Sequence, residues 1–442
     1  MSDPIGKMPS ALAMRGYAVA LFALISVALW TGFAFDTYFA SDGAYYFAII
    51  LDHARFTEIA PARAHAEYLS QWPLVLGVKS GVTDLEDLEF LFGLGLWFPW
   101  FLGFVISLYA TREKPILIFF YLLSLASLNL AAWSVFIGEH LVLLSLSWPI
   151  LFFGLVKRPM NWLEQVLTLL LLVIHLRLYE SAVITGGFFF VVFGLRMWFA
   201  ETKRERWMSA VFALLAMAAA MIALNWILFP RDADNRSSFL LSMLAAIPHP
   251  YPLIGLHFVG LMFLGVGFGI KKAGKIAFLI PVVIAVLSLP SPGILAGIAF
   301  STRTLSLSAL PGFMLVAALC QVTNYRFSRK LLLQAMILIA VISFLHVRHL
   351  QSWIQFRDRF LTVLEEETGF VDPDDHEDLV HWGWTNTLLS YVWSEGKVTA
   401  VVLNPDDDGY QPFDPRTEVV MEKYFKEWPD FVNTGKPDLE EE

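Results

Sequence analysis

Residues 16–34 read GYAVALFALISVALWTGFA, and residues 35–56 continue FDTYFASDGAYYFAIILDHARF. The first stretch is uncharged and has the length, about 20 residues, at which a helix crosses a bilayer. Lys7 and Arg15 precede it. No small-residue cleavage site of the A-x-A type follows, so it reads as a retained first helix with its start in the cytoplasm, not as a removed signal peptide. In the second stretch Ser41 or Asp42 can cap a helix, because a short polar side chain accepts the orphan amide protons. The run YYFAIILDHARF is apolar on one face but too short and too charged to span. It reads as a helix lying in the membrane interface. A spanning helix followed by an amphipathic loop decides the class: a polytopic membrane chain with a structured first loop.

The rest of the chain agrees. Of 442 residues 57% are hydrophobic and only 16% charged, and the mean hydropathy is +0.60. A soluble domain is nearer 45–50% apolar and 25% charged. This excludes intrinsic disorder and a soluble Rossmann enzyme. Net charge −9 argues against a nucleic-acid partner, and the single Cys320 excludes a disulfide scaffold and a cysteine-based zinc site. Apolar runs predict about eleven spans, at 16–35, 89–110, 115–136, 141–157, 162–178, 181–200, 207–229, 251–270, 276–289, 293–323 and 331–347. Segments on the expected cytoplasmic side carry Lys7, Arg15, Arg112, Lys114, Lys157, Arg158, Lys203, Arg204, Arg206, Lys271, Lys272, Lys275, Arg326, Arg329 and Lys330. The short outer loops carry only Arg177, Arg231, Arg236 and Arg303. That asymmetry follows the positive-inside rule. It divides the chain into a membrane core, 1–347, whose first outer loop is 36–88, and an acidic outer tail, 348–442. The tail has an expected strand at 398–404 (VTAVVLN) and an aromatic segment, HWGWTNTLLSYVW, at 381–393. It reads as a small α+β region.

The residues able to carry chemistry lie on the expected outer side. Asp36 and Asp42 follow the first helix. Either is a solvated or capping carboxylate, or a general base for an attacking hydroxyl. Arg303 sits in GIAFSTRTLSLSALPG, 297–312. A charge in a membrane segment is expensive and marks function by default, and Pro311-Gly312 suggests a broken or re-entrant start. A guanidinium there binds a phosphate bidentately or snorkels to the interface. Arg231 and Arg236 lie in the outer loop RDADNRSS, where one of them could help bind an anionic headgroup. Arg177 and Glu180, three apart, suit a local ion pair. Glu139-His140 makes a very short outer turn, which lines a site or is simply solvated. The acids at 374–378 read as a solvated loop. No Gly-rich phosphate loop or HExxH occurs, so ATP-driven chemistry is not indicated.

Taken together, the cytoplasmic start, the acid a few positions past the first helix, the aromatic stretch, Arg63, the Tyr68-x-x-Gln71-Trp72-Pro73-Leu74 run, the late Arg303 and the outer tail resemble the GT-C superfamily of membrane glycosyltransferases. Within it the likeness is to bacterial enzymes related to aminoarabinose transferase and protein mannosyltransferases. The resemblance implies that Asp42, in Asp42-Gly43-Ala44-Tyr45-Tyr46, matches the catalytic position of a pattern like Asp-Glu-x-x-Tyr, with Gly43 in place of the Glu. It implies that Asp36 is a second acid or a bystander. It also implies that Tyr45, Tyr46, Tyr68, Gln71 and Trp72 shape the substrate site, and that Arg303, Arg63 and Arg231 meet the donor phosphate. The expected activity is transfer of a sugar from a polyprenyl-phosphate donor to a lipid, glycan or protein acceptor, at the outer face of a bacterial inner membrane. It calls for no metal and no cofactor. A lipid or glycan transporter or flippase, and a non-catalytic scaffold of an envelope polysaccharide system, are the competing expectations.

Overall fold

A computed structural model of the chain describes residues 8–40, 42–58, 61–130, 139–229, 296–323, 325, 327–372, 375–376, 379, 386–394 and 399–402. The expected spans at 251–270 and 276–289, Arg231 and most of the acidic tail lie outside these residues.

The described chain is mostly helical. Helix α1 (Ala11–Phe33) starts on Ser10, whose hydroxyl accepts the Ala13 amide. The first loop then folds into two helices, α2 (Asp42–His53) and α3 (Ala64–Lys79). Next come α4 (Leu85–Ala110), capped by Asp84, and α5 (Ile118–Ser124), which runs on as a π-helical turn, Leu125–Leu130. Then follow α6 (His140–Gly154), α7 (Trp162–His175), α8 (Ala182–Trp198), α9 (Lys203–Leu228), α10 (Ala296–Val322) and α11 (Arg329–Glu366). Beyond α11, β1 (Gly369–Val371) pairs in parallel with β2 (Ala400–Val402), Phe370 opposite Val401, and α12 (Asn386–Trp393) packs on β2.

Among the described residues four helices are long and apolar enough to cross a membrane: α1, α4, α9 and α11 from Leu331. Five shorter apolar helical segments lie among them. All fifteen residues of α6 are buried, as expected of a helix that is hydrophobic all round; α6 is the centre of the bundle. The polarity of α7 is inverted. Its buried face is Glu164, Thr168, Leu171, Leu172 and His175, while Trp162, Val166, Leu170 and Val173 are exposed. An apolar face turned outward is what hydrocarbon, not water, would cover.

One end of the bundle is tied together by its basic residues. Arg15 donates to the Arg112 carbonyl at 3.0 Å and Lys114 to the Cys320 carbonyl at 2.8 Å. Arg112 and Arg158 both pair with the buried Glu164, at 2.7 and 2.8 Å. Glu164 also closes a capping box with Asn161. Of the charges that the positive-inside count assigned to one side, Arg15, Arg112, Lys114, Arg158 and Arg204 meet at one end.

Two expectations change. Pro311 stands inside a continuous α10, so the break expected there is absent. Helix α11 does not stop at 347 but continues to Glu366. At 1.5 Å per residue it is about 57 Å long, nearly twice the roughly 30 Å of a hydrocarbon core. Its far third carries Trp353, Phe356 and Phe360, against which Trp393 of α12 packs with ring centroids 5.9, 6.2 and 5.2 Å away. Helix α12 also packs on α2. The start of the tail, the first loop and the end of α11 thus form one layer at the end opposite the basic one.

Candidate functional site

Beneath that layer lies a charged cluster in which Glu139 is buried and Arg63 and Glu180 are half-buried. Helices α6, α7 and α8 have 15, 14 and 17 residues, or about 21–26 Å, short of a full hydrocarbon thickness. Helix α3 fills the shortfall by running back along α4. Leu91 lies against Gly77, and Trp72 packs edge-on to Phe98 at 5.5 Å. The approach is close because Gly95 faces the Ser70 carbonyl, and any Cβ at 95 would overlap it. Arg63, at the head of α3, is thereby carried down to the tips of the short helices.

There it meets two acids. Arg63 Nε donates to Glu180 Oε1 at 2.8 Å, and Nη1 stands 3.6 Å from Glu139 Oε2. Its guanidinium lies 4.9 Å from the centre of the Tyr179 ring. Tyr46 of α2 donates to Glu139 Oε1. Glu139 precedes the wholly buried α6 and is itself 3% exposed. Burial by itself lowers the pKa of Arg63, but Tyr179, Glu139 and Glu180 outweigh it, and the group is held well above its ordinary value. It stays charged.

In the same layer, Asp36 follows α1 in a left-handed conformation, φ +58°, which Asp tolerates better than most residues. Its Oδ2 accepts from Arg357 Nε of α11 at 2.6 Å. The Tyr38 hydroxyl is 3.2 Å from Asp36 Oδ1 and 3.0 Å from Glu89 Oε2. Burial and the two carboxylates push this phenol far above its usual pKa, so it remains a donor. Its single proton serves one acid at a time. Trp353 Nε1 donates to the Phe35 carbonyl at 2.5 Å. Asp36 is thus engaged in fastening the first loop to α11.

The other expected site residues fall as follows. Asp42 opens α2 one turn before Tyr46, a spacing that puts both positions on one helix face; its side chain is outside the description. The same holds for Arg303, within α10. Tyr45 is half-buried beside Tyr46, with ring centroids 6.2 Å apart. Tyr68 donates to Glu58. Gln71 is buried and pins the segment after α2, accepting the Thr57 amide at 2.8 Å and donating to the Thr57 carbonyl at 3.1 Å.

Sequence reasoning missed Glu139 and Glu180 as partners. Glu139 and His140 are buried, not a solvated turn. The expected local pair of Arg177 and Glu180 is replaced by two reaches into the loop: Arg177 donates to the Pro61 carbonyl, and Glu180 takes Arg63. The available signal was a pair of polar residues fused to the start of an uninterrupted apolar helix. Chemically, the cluster offers a carboxylate with a phenol on one oxygen and a guanidinium near the other, a set able to hold or pass a proton. Among the described residues no group of three or more His, Cys, Asp or Glu is placed to hold a metal ion. Comparison with protein-family models, with curated proteins and with solved structures finds no match to this chain.

Proposed function

We propose that the chain is a membrane glycosyltransferase of the GT-C type, moving a sugar from a polyprenyl-phosphate donor to an acceptor hydroxyl at the extracytoplasmic face of a bacterial inner membrane. The observation that carries this reading is the convergence of Tyr46 and Arg63, both from the first loop, on the buried Glu139. An acid–base cluster under a loop, at the rim of an apolar bundle, suits a substrate with a hydrocarbon tail and a polar reacting end. The basic end of the bundle supports a cytoplasmic placement for that end.

In this scheme the acceptor oxygen attacks the anomeric carbon and the bond from that carbon to the phosphate oxygen breaks. The polyprenyl phosphate leaves with the electron pair, and Arg303 and Arg231 stabilise its developing charge. Asp42 orients the acceptor hydroxyl and takes its proton. Because Arg63 is occupied by two carboxylates, its part is to set Glu139 and not to grip the phosphate. A non-catalytic scaffold is the second reading, favoured by the engagement of both Asp36 and Arg63 in ion pairs.

The test is transfer of radiolabelled sugar from membrane polyprenyl-phosphate donors by wild type, Asp42→Asn and Glu139→Gln at equal expression. Asp42→Asn should lose about 10²–10⁴-fold, the usual worth of a general base. Transfer equal to wild type would remove Asp42 from the reaction. No transfer by any form, across a donor panel, would leave the scaffold.

A further inference from the structure

The basic end of the bundle holds a second feature, a cleft of about 340 Å³ between α7, the α8–α9 turn and the start of α9. That volume is within the roughly 300–1,000 Å³ of small-ligand sites. Trp162, Gln165, Arg196, Arg204 and Glu205 line it. Arg196 is engaged: it donates to the carbonyls of Val156 and Arg158 and pairs with Glu205 at 2.8 Å. Those two charges cancel. Arg204 is left as the cation of the cleft. It is exposed and makes one long hydrogen bond, 3.3 Å to Gln165 Oε1, from a group with five N–H donors. Lys203 and Arg206 flank it and are exposed.

Trp162 lines the cleft, and Trp198 and Trp207 stand at the neighbouring ends of α8 and α9. Trp162, Trp198 and Trp207 are 69%, 78% and 74% exposed, although an indole in water gains nothing from standing free. Tryptophan with its ring in hydrocarbon and its N–H among headgroups is the composition of a membrane interface. Beyond these tryptophans, α7 and α9 expose Val166, Leu170, Val211 and Leu214. An unneutralised guanidinium above apolar faces, at interface depth, matches an amphiphile with an anionic head.

We infer that this cleft binds the phosphate group of an anionic phospholipid. Arg204 grips the phosphate, Lys203 adds charge, and the acyl chains lie on the exposed faces of α7 and α9. The site is at the opposite end from the charged cluster and is independent of the proposed reaction.

The experiment uses the full chain in phosphatidylcholine nanodiscs with and without phosphatidylglycerol, with retained lipid counted by native mass spectrometry. Phosphatidylglycerol should be retained in preference to phosphatidylcholine. The preference should fall about fivefold for each cation removed, in R204Q and then in K203A/R204Q. R359A, an exposed arginine on the far end of α11, should keep it. Equal retention of the two lipids, or an unchanged preference in K203A/R204Q with an unchanged melting midpoint, would overturn the site. Displacement of the lipid by millimolar inorganic phosphate would make the ligand a soluble phosphate and overturn the lipid assignment. Indifference to phosphate would support it.

Discussion

At the residue scale, Arg63 is where stability and chemistry meet. Stripping one partner from a buried charge pair leaves an uncompensated ion, at about 3–5 kcal/mol. Arg63 serves two acids, so Arg63→Ala should lower the melting midpoint of the detergent-solubilised protein sharply. The Arg63→Ala/Glu180→Gln double variant should recover part of the loss, because the two sites share one network. Arg63→Lys should not substitute fully, since an ammonium cannot reproduce the planar fork. The opposite end supplies the contrast. Glu164 has no exposed side-chain surface and holds both Arg112 and Arg158, whereas Glu113 is 55% exposed. Glu164→Leu should therefore destabilise strongly, and Glu113→Ala should stay within about 1 kcal/mol; chemical denaturation of the two variants measures the difference. Little of this was readable from the chain alone. In the sequence Arg63 is a basic loop residue for which the resemblance implies a phosphate partner, because a sequence shows a charge but not its partners. Glu180 lies 117 positions from the arginine it pairs with.

At the element scale, the apolar runs were readable and the polar helices were not. The helix expected from residue 42 is α2, but it is buried against α12 and not laid out with one open apolar face; the strand expected at 398–404 contains β2. Helix α3 was read only as a run of site-shaping residues. Its apolar pattern is irregular because it is clamped between α4 and the bundle and has no single wet face. Helix α11 was cut short for a related reason. Arg348, Arg357, Asp358 and Arg359 end the hydropathy signal but not the helix, which continues as an amphipathic rod with Trp353, Phe356 and Phe360 buried. The α3–α4 contact depends on the missing side chain at 95. Gly95→Leu should cost about 1–3 kcal/mol as overpacking, read as a lower melting midpoint. Gly187→Ala, which meets nothing within 4 Å, should leave the midpoint unchanged or raise it.

At the scale of the whole molecule, one end is basic and the other carries the loop, the charged cluster and the cap. If the basic end is cytoplasmic, a membrane-impermeant maleimide should label Arg359→Cys in intact cells and Glu201→Cys only after permeabilisation; the reverse pattern would invert the chain. The native thiol, Cys320, is buried and should contribute no background.

The pairing of Asp36 with Arg357 also sets a clock. The partners are 321 positions apart. At about 5–20 residues per second of synthesis, the acid waits roughly 16–64 s for its arginine to be made. For that interval the first loop exists without its fastening to the last helix. Closing the layer over the charged cluster is thus among the last events in the molecule's birth, and a ribosome halted before codon 350 would leave an inserted bundle whose roof is still open.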